Sequence, residues 1–156
     1  VVESGYDADR VIASSLIDMY SKTGDIYDAS SVFKKSSSRD IVTWSAIIAG
    51  HVSCEDGYLA LNLFEEMQRD GVKPDKVTCL LLLKACSMIG ALGQGRLIYE
   101  QIIMSGLESD MECNSGIVAM YAKCGCLAMA RKTFSIIMVS DIVSWNALIR
   151  GYIDHG

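Results

Sequence analysis

The sequence predicts an all-α chain that stacks helix pairs into an α-solenoid, and three observations predict it. The chain matches itself at a shift of 101 residues: Asp40-Ile-Val-Thr-Trp-Ser-Ala-Ile-Ile-Ala-Gly50 returns as Asp141-Ile-Val-Ser-Trp-Asn-Ala-Leu-Ile-Arg-Gly151, and the run Met19 to Gly24 returns as Met120 to Gly125. A small residue followed four places on by an aromatic recurs at Ala29/Phe33, Ala60/Phe64, Gly95/Tyr99 and Ala130/Phe134, with the aromatics 31, 35 and 35 residues apart. Aspartates at Asp9, Asp40, Asp75, Asp110 and Asp141 close successive units at spacings of 31, 35, 35 and 31, so the shift is a superperiod of three units.

Each unit reads as two helices. Residues 1–9 are the tail of a preceding unit. In 10–40, Ile12, Leu16, Met19 and Tyr20 fall on one face of a first helix, which Gly24 ends in the left-handed conformation. Asp25 caps a second helix whose face is Ala29, Val32 and Phe33; the small residue admits the partner backbone and the ring fills the space one turn on. The same layout fits 41–75, 76–110 and 111–141, and 142–156 is the first helix of a further unit. Asp56-Gly57 and Asp70-Gly71 fit inter-helix turns better than hairpins, and the β-branched residues lie inside helical periods. Two helices of this length cannot bury both faces alone, so each unit needs its neighbours, and the ends of the array should expose apolar surface.

At 51% hydrophobic and 21% charged, with one proline and a mean hydropathy of +0.27, the 156 residues exclude a disordered or collagen-like chain. No apolar run approaches a membrane span; Cys79 to Leu83, for example, stops at Lys84. A net charge of −5 argues against a generic polyanion binder. The chain opens on Val1 and stops within a helical pattern at Gly156, so it reads as a piece whose targeting segment lies elsewhere.

With these motifs in view, the chain resembles the pentatricopeptide repeat (PPR) family, in its plant type of alternating P, L and S motifs. Unit 10–40 resembles an S motif. Unit 41–75, ending Glu65-Glu66-Met67 and Gly71-Val-Lys-Pro74-Asp75, resembles a P motif. Unit 76–110, with Leu83-Lys84-Ala85-Cys86-Ser87, resembles an L motif, and unit 111–141, with Tyr121-Ala-Lys-Cys124-Gly125, a second S motif. The preceding tail then belongs to an L-type repeat and 142–156 to a P-type repeat. Departures are Glu55, where glycine often separates the helices, and Glu112, where a small aliphatic residue is usual. The tetratricopeptide repeat shares the small-to-aromatic spacing but keeps a constant period of about 34.

The resemblance implies a right-handed α-solenoid of stacked helix-turn-helix repeats that binds single-stranded RNA, one base per repeat. It points to the fifth and last residues of each unit as base readers: Ser14 with Asp40, Ser45 with Asp75, Leu80 with Asp110, Ser115 with Asp141, and Asn146 in the incomplete last unit. The second residues, Val11, Val42, Val77 and Val143, would pack on bases, with Glu112 the exception. A carboxylate only accepts hydrogen bonds. It therefore favours guanine, which offers N1–H and N2–H, or uracil, which offers N3–H, over adenine and cytosine, which present an acceptor there. By family pattern Ser with Asp reads G and Asn with Asp reads U, while Leu80 reads weakly or not at all. If the chain runs parallel to the RNA, the preference is G-G-N-G and then a pyrimidine. The competing reading is that each aspartate, preceding a helix, is an N-cap.

Trp44 and Trp145 are expected on the apolar stripe rather than stacked on bases, and the eight methionines in the core. The six cysteines form no paired Cys-x-x-Cys set, and Cys124-Gly125-Cys126 has no nearby histidine, so reduced structural thiols are expected and neither metal nor cofactor. With only His51 and His155, no His-x-Glu and no Cys-x-x-Cys, the zinc-deaminase signature is missing, and so is any catalytic constellation. The expected function is RNA targeting for an organellar C-to-U editing factor in mitochondrion or chloroplast, whose parent chain could carry a terminal deaminase-like domain. Small editing-factor proteins could dock on the L-type repeat, and the solenoid ends could self-associate. The alternative is a protein-interaction solenoid without RNA contact.

Overall fold

The computed structural model describes residues 3–36, 39–136 and 142–156, with side chains from Val11 onward. Among them every regular element is an α-helix, as an all-α repeat solenoid requires. First helices α1 (Glu3–Thr23), α3 (Ile41–Ser53), α5 (Lys76–Ile89), α7 (Met111–Lys123) and α9 (Ile142–His155) alternate with second helices α2 (Ile26–Lys35), α4 (Gly57–Arg69), α6 (Leu92–Met104) and α8 (Leu127–Ile136). The chain divides into two compact units, Val1–Thr78 and Cys79–Gly156.

In the first unit α1 packs on α2 and α3, and α3 on α4. In the second, α7 packs on α6, α8 and α9. First helices therefore lie against first helices as well as against their own partners. The closest crossing repeats at the superperiod. A Cβ on Gly50 of α3 would overlap Ser21 of α1, and a Cβ on Gly151 of α9 would overlap Ala122 of α7. Glycine at these positions lets the two first helices meet at backbone distance. Ile17, Phe33, Trp44, Ile47, Ile48 and Met67 fill the first core; Leu82, Leu83, Ile98, Ile102, Ile117 and Tyr121 fill the second.

Every turn from a first to a second helix passes through the left-handed region, at Gly24, Glu55, Gly90 and Gly125. At φ 59°, Glu55 does so with a side chain, the departure that the sequence marked. Asp25 and Asp56 follow as N-caps, accepting from the backbone N–H of Asp28 and Leu59.

The structure corrects two expectations. α1 runs unbroken from Glu3, across the place where one unit was expected to end at residue 9. Residues 3–10 hold no proline and a single glycine, so nothing local interrupts the helix. The buried face of α1 is also not that of Ile12, Leu16, Met19 and Tyr20. Ala13 and Ile17 are buried, whereas Ile12 and Met19 are exposed. Ser21, one turn beyond Ile17, lies against Gly50 of α3, whereas Ile12 and Met19 stand off the buried row. An exposed apolar face does occur on α9, at Ile142, Ile149 and Ile153.

Candidate nucleic-acid interface

The aspartates are held by the helices they open. Asp40 Oδ1 accepts from Thr43 N at 2.9 Å and from Thr43 Oγ1 at 2.7 Å. Asp75 Oδ1 accepts from Thr78 N at 2.8 Å and Thr78 Oγ1 at 2.7 Å. Asp110 Oδ1 accepts from Cys113 N at 3.0 Å. All three are N-caps, so the bland reading of these residues holds as far as it goes. At Asp75 the cap uses one oxygen only. Asp75 is exposed, and its Oδ2 has no bond from the described residues. Capping and base contact therefore do not compete for the same atom. Asp141 lies outside the described residues.

Ser45, Leu80 and Ser115 each stand on a first helix, five residues beyond the capping aspartate that closes the preceding unit. Ser45 Oγ donates to Ile41 O at 2.7 Å and lies 2.8 Å from Thr78 Oγ1. Thr78 thus joins Ser45 to Asp75, the two ends of unit 41–75. Ser115 Oγ donates to Met111 O at 2.8 Å and accepts from Ser144 Oγ at 3.0 Å. Ser115 is buried, which narrows what can reach it from solvent. Ser14 Oγ turns back to Val11 O at 3.1 Å. Leu80 is half-buried and Asn146 exposed.

The second residues share an unusual environment. Val11, Val42, Val77 and Val143 are 64%, 57%, 56% and 57% exposed. Glu112, at the same place in its unit, is exposed too. Four aliphatic side chains kept more than half in solvent at equivalent positions serve no core.

The residues that sequence reasoning missed are the third ones: Thr43, Thr78, Cys113 and Ser144, all essentially buried. Their signal was present. Each follows a closing aspartate by three places, and three of the four carry a hydroxyl.

Among the described residues no cluster of three His, Cys, Asp or Glu is placed to hold a metal ion. No helix among the described residues is long and apolar enough to cross a membrane. All six cysteines are free; Cys79, Cys86 and Cys113 are buried, but Cys54 is exposed. Burial, with Cys124 nearby, pushes the Cys86 thiol up to about 12, so it is an inert core residue. Trp44 is fully buried, as its place on the apolar stripe predicts, whereas Trp145 is 51% exposed.

Family models described as PPR repeat family and PPR repeat match residues 39–88, and residues 11–41 and 143–156, together more than half of the chain. A chloroplastic pentatricopeptide repeat-containing protein of Arabidopsis thaliana is 38% identical over 167 residues, covering all of this chain and 19% of the relative. A mitochondrial one from the same plant is 38% identical over 155 residues, covering 99% of this chain and 24% of the relative. The chain thus spans about a fifth to a quarter of the length of such relatives. Among solved structures, the pentatricopeptide repeat protein PPR10 from maize matches with a TM-score of 0.73 at 18% identity, over 92% of this chain and 22% of that one. PPR10 in complex with an 18-nucleotide psaJ RNA element matches with a TM-score of 0.68 at 20% identity, over 89% of this chain and 22% of that one. The likeness to PPR10 is one of fold. With relatives named chloroplastic and mitochondrial, this chain stands among the organellar proteins of plants and belongs to the PPR repeat family.

Proposed function

We propose that the chain is a sequence-specific module for single-stranded RNA that reads one base per repeat. The observation that carries this is the recurring arrangement of an exposed valine beside a capping aspartate and the fifth residue. An aliphatic side chain in solvent is a surface for the face of a base, and the polar pair can test its edge. PPR10, which shares the fold, is solved in complex with RNA, and this supports the same ligand class here. The readers are Ser14 with Asp40, Ser45 with Asp75, Ser115 with Asp141, and Asn146; Leu80 with Asp110 gives a weak or silent position. Val11, Val42, Val77 and Val143 pack against bases.

The role we propose is to address a C-to-U editing activity in an organelle. This chain supplies the address, and unit 76–110 serves as docking place for a small editing-factor protein.

Affinity of these repeats alone is expected to be weak and salt-sensitive, because phosphate contacts dominate such binding and the net charge is −5. Competition among poly-G, poly-U and poly-A at low and high salt tests the reading. Preference for G and U that weakens as salt rises supports it. No RNA binding at low salt, or tight binding indifferent to salt, overturns it.

A further inference from the structure

We infer that Thr78 is a positioning residue that fixes Ser45 and Asp75 as two adjacent hydrogen-bond acceptors, selecting a base edge with two neighbouring N–H donors. This rests on the base-reading role proposed above and specifies how that role is carried out.

The argument is a count of protons. Thr78 Oγ1 lies 2.7 Å from Asp75 Oδ1, and an ionised carboxylate can only accept, so the single hydroxyl proton of Thr78 goes to Asp75. In the 2.8 Å contact between Ser45 and Thr78, Thr78 then has no proton left to give, so any donation comes from Ser45, from the proton it shares with Ile41 O. Ser45 has one proton as well, and Ile41 O, 2.7 Å away, competes for it. Both hydroxyl protons are spent inside the protein. What remains for a ligand is a lone pair on half-buried Ser45 and the Oδ2 of exposed Asp75, which no described residue bonds.

Two acceptors held through one shared threonine suit guanine, whose N1–H and N2–H are adjacent donors. Uracil satisfies one of them with N3–H. Adenine and cytosine oppose an acceptor with an acceptor, which leaves a polar group unpaired. The preference for G over U therefore comes from Ser45, and the preference for G and U over A and C from Asp75. Thr78 itself is fully buried and cannot touch a base, so it acts only through its two neighbours.

The rest of the chain sharpens the point. Thr43 makes the same two bonds to Asp40, but Ser14 turns to Val11 O instead of to Thr43. The link from fifth residue to third to closing aspartate is traced end to end at unit 41–75.

The test uses this chain with short RNA competitors varied only at the base opposite unit 41–75, beside a melting curve for each variant. Thr78→Val keeps the shape and the backbone cap and deletes the hydroxyl. It is expected to lower the preference for G over A about tenfold, the size of one lost hydrogen bond to a charged group. Thr78→Ser is expected to restore it. Ser45→Ala is expected to erase the preference for G over U while G and U remain ahead of A; if Thr78→Val fails to fold, Thr78→Ala supplies the same hydroxyl deletion. Undiminished discrimination in a folded Thr78→Val or Thr78→Ala, or no rescue by Thr78→Ser, overturns the inference while base reading stands; an intact preference for G over U in Ser45→Ala overturns the inference and removes Ser45 from the readers. If the unaltered chain shows no base preference at that position, the reading itself falls and the inference with it.

Discussion

Phe33 meets Trp44 edge to face, with ring centroids 4.7 Å apart and planes inclined at 66°. The superperiod repeats the pair as Phe134 and Trp145, at 4.6 Å and 71°. The local geometry is the same; the burial is not, since Trp44 is 0% and Trp145 51% exposed. α3 carries Trp44 and is followed by α4, which packs on it, whereas α9 is the last helix of this chain and packs on α7 and α8. The same aromatic pair thus sits in a dry setting at α3 and at the surface at α9.

The two indoles should therefore behave differently. Trp44→Ala is expected to cost about 3–5 kcal/mol, the range for emptying a buried large aromatic site. Trp145→Ala is expected to cost about half of that or less, because less apolar area leaves a dry environment. Denaturant unfolding followed by circular dichroism measures both. Iodide should quench the emission of Trp145 and leave Trp44 nearly untouched. Equal costs, or equal quenching, would contradict the burial described.

Glu55 occupies a left-handed turn that glycine fills at Gly24, Gly90 and Gly125. A side chain there costs about 1–2 kcal/mol of steric strain. Glycine relieves it but brings about 0.5–1 kcal/mol of extra chain entropy to the unfolded state. Glu55→Gly is thus expected to stabilise by about 0.5–1 kcal/mol, read as a melting temperature a few degrees higher. A lower melting temperature would mean that the glutamate side chain is stabilised by something worth more than the strain.

Much of this was legible in the sequence, for physical reasons that also mark where legibility ends. The turn glycines and the small-to-aromatic pairs are local demands, set by backbone conformation and by one helix crossing, so Gly24, Asp25, Ala29 and Phe33 could be placed from spacing alone. The face of α1 could not. A first helix has neighbours on two sides, and a row at Ile12 and Met19 satisfies helical periodicity as well as the row at Ala13 and Ile17 that α3 covers. The capping aspartates were legible as a spacing, but their division of labour between two oxygens needed the position of Thr78. The cross-helix contact between Ser45 and Thr78 spans 33 residues, and no short-range pattern encodes it.

Acid should destabilise the first unit through His51. The imidazole is buried, with Nε2 3.4 Å from Ser30 Oγ and Nδ1 3.8 Å from Asp56 Oδ2. Burial lowers its pKa from the ordinary 6.5, and the Asp56 carboxylate opposes the shift without cancelling it. The folded state thus takes up its proton later than the unfolded state does. The unfolded state binds more protons as pH falls below 6.5, so stability is fully present above that value and is lost progressively below it. Urea midpoints at pH 7.5 and 5.5 should differ in the unaltered chain and differ less in His51→Gln. A stability that rises on acidification over this range, and does so only when His51 is present, would reverse the sign and place a stronger partner for the imidazolium at Asp56.

Asp75→Asn separates the cap from the reader. Asn keeps an Oδ1 that can accept from Thr78 N and Thr78 Oγ1, now 2.8 and 2.7 Å away. It is a competent N-cap, so the melting temperature should fall little. What changes is the outward atom: a carboxamide nitrogen replaces Oδ2 and presents donors where a lone pair stood. Guanine N1–H then meets a donor, and adenine N1 becomes an acceptable partner. The loss for G at that one position should be about 1–3 kcal/mol, the usual size of a base-edge contact. Binding at the other positions should be unaffected, since their readers sit on other helices. Competition with RNA varied at that base, beside a melting curve, makes the measurement. A variant that melts much earlier yet keeps its preference for G would show that Asp75 holds the helix and reads nothing.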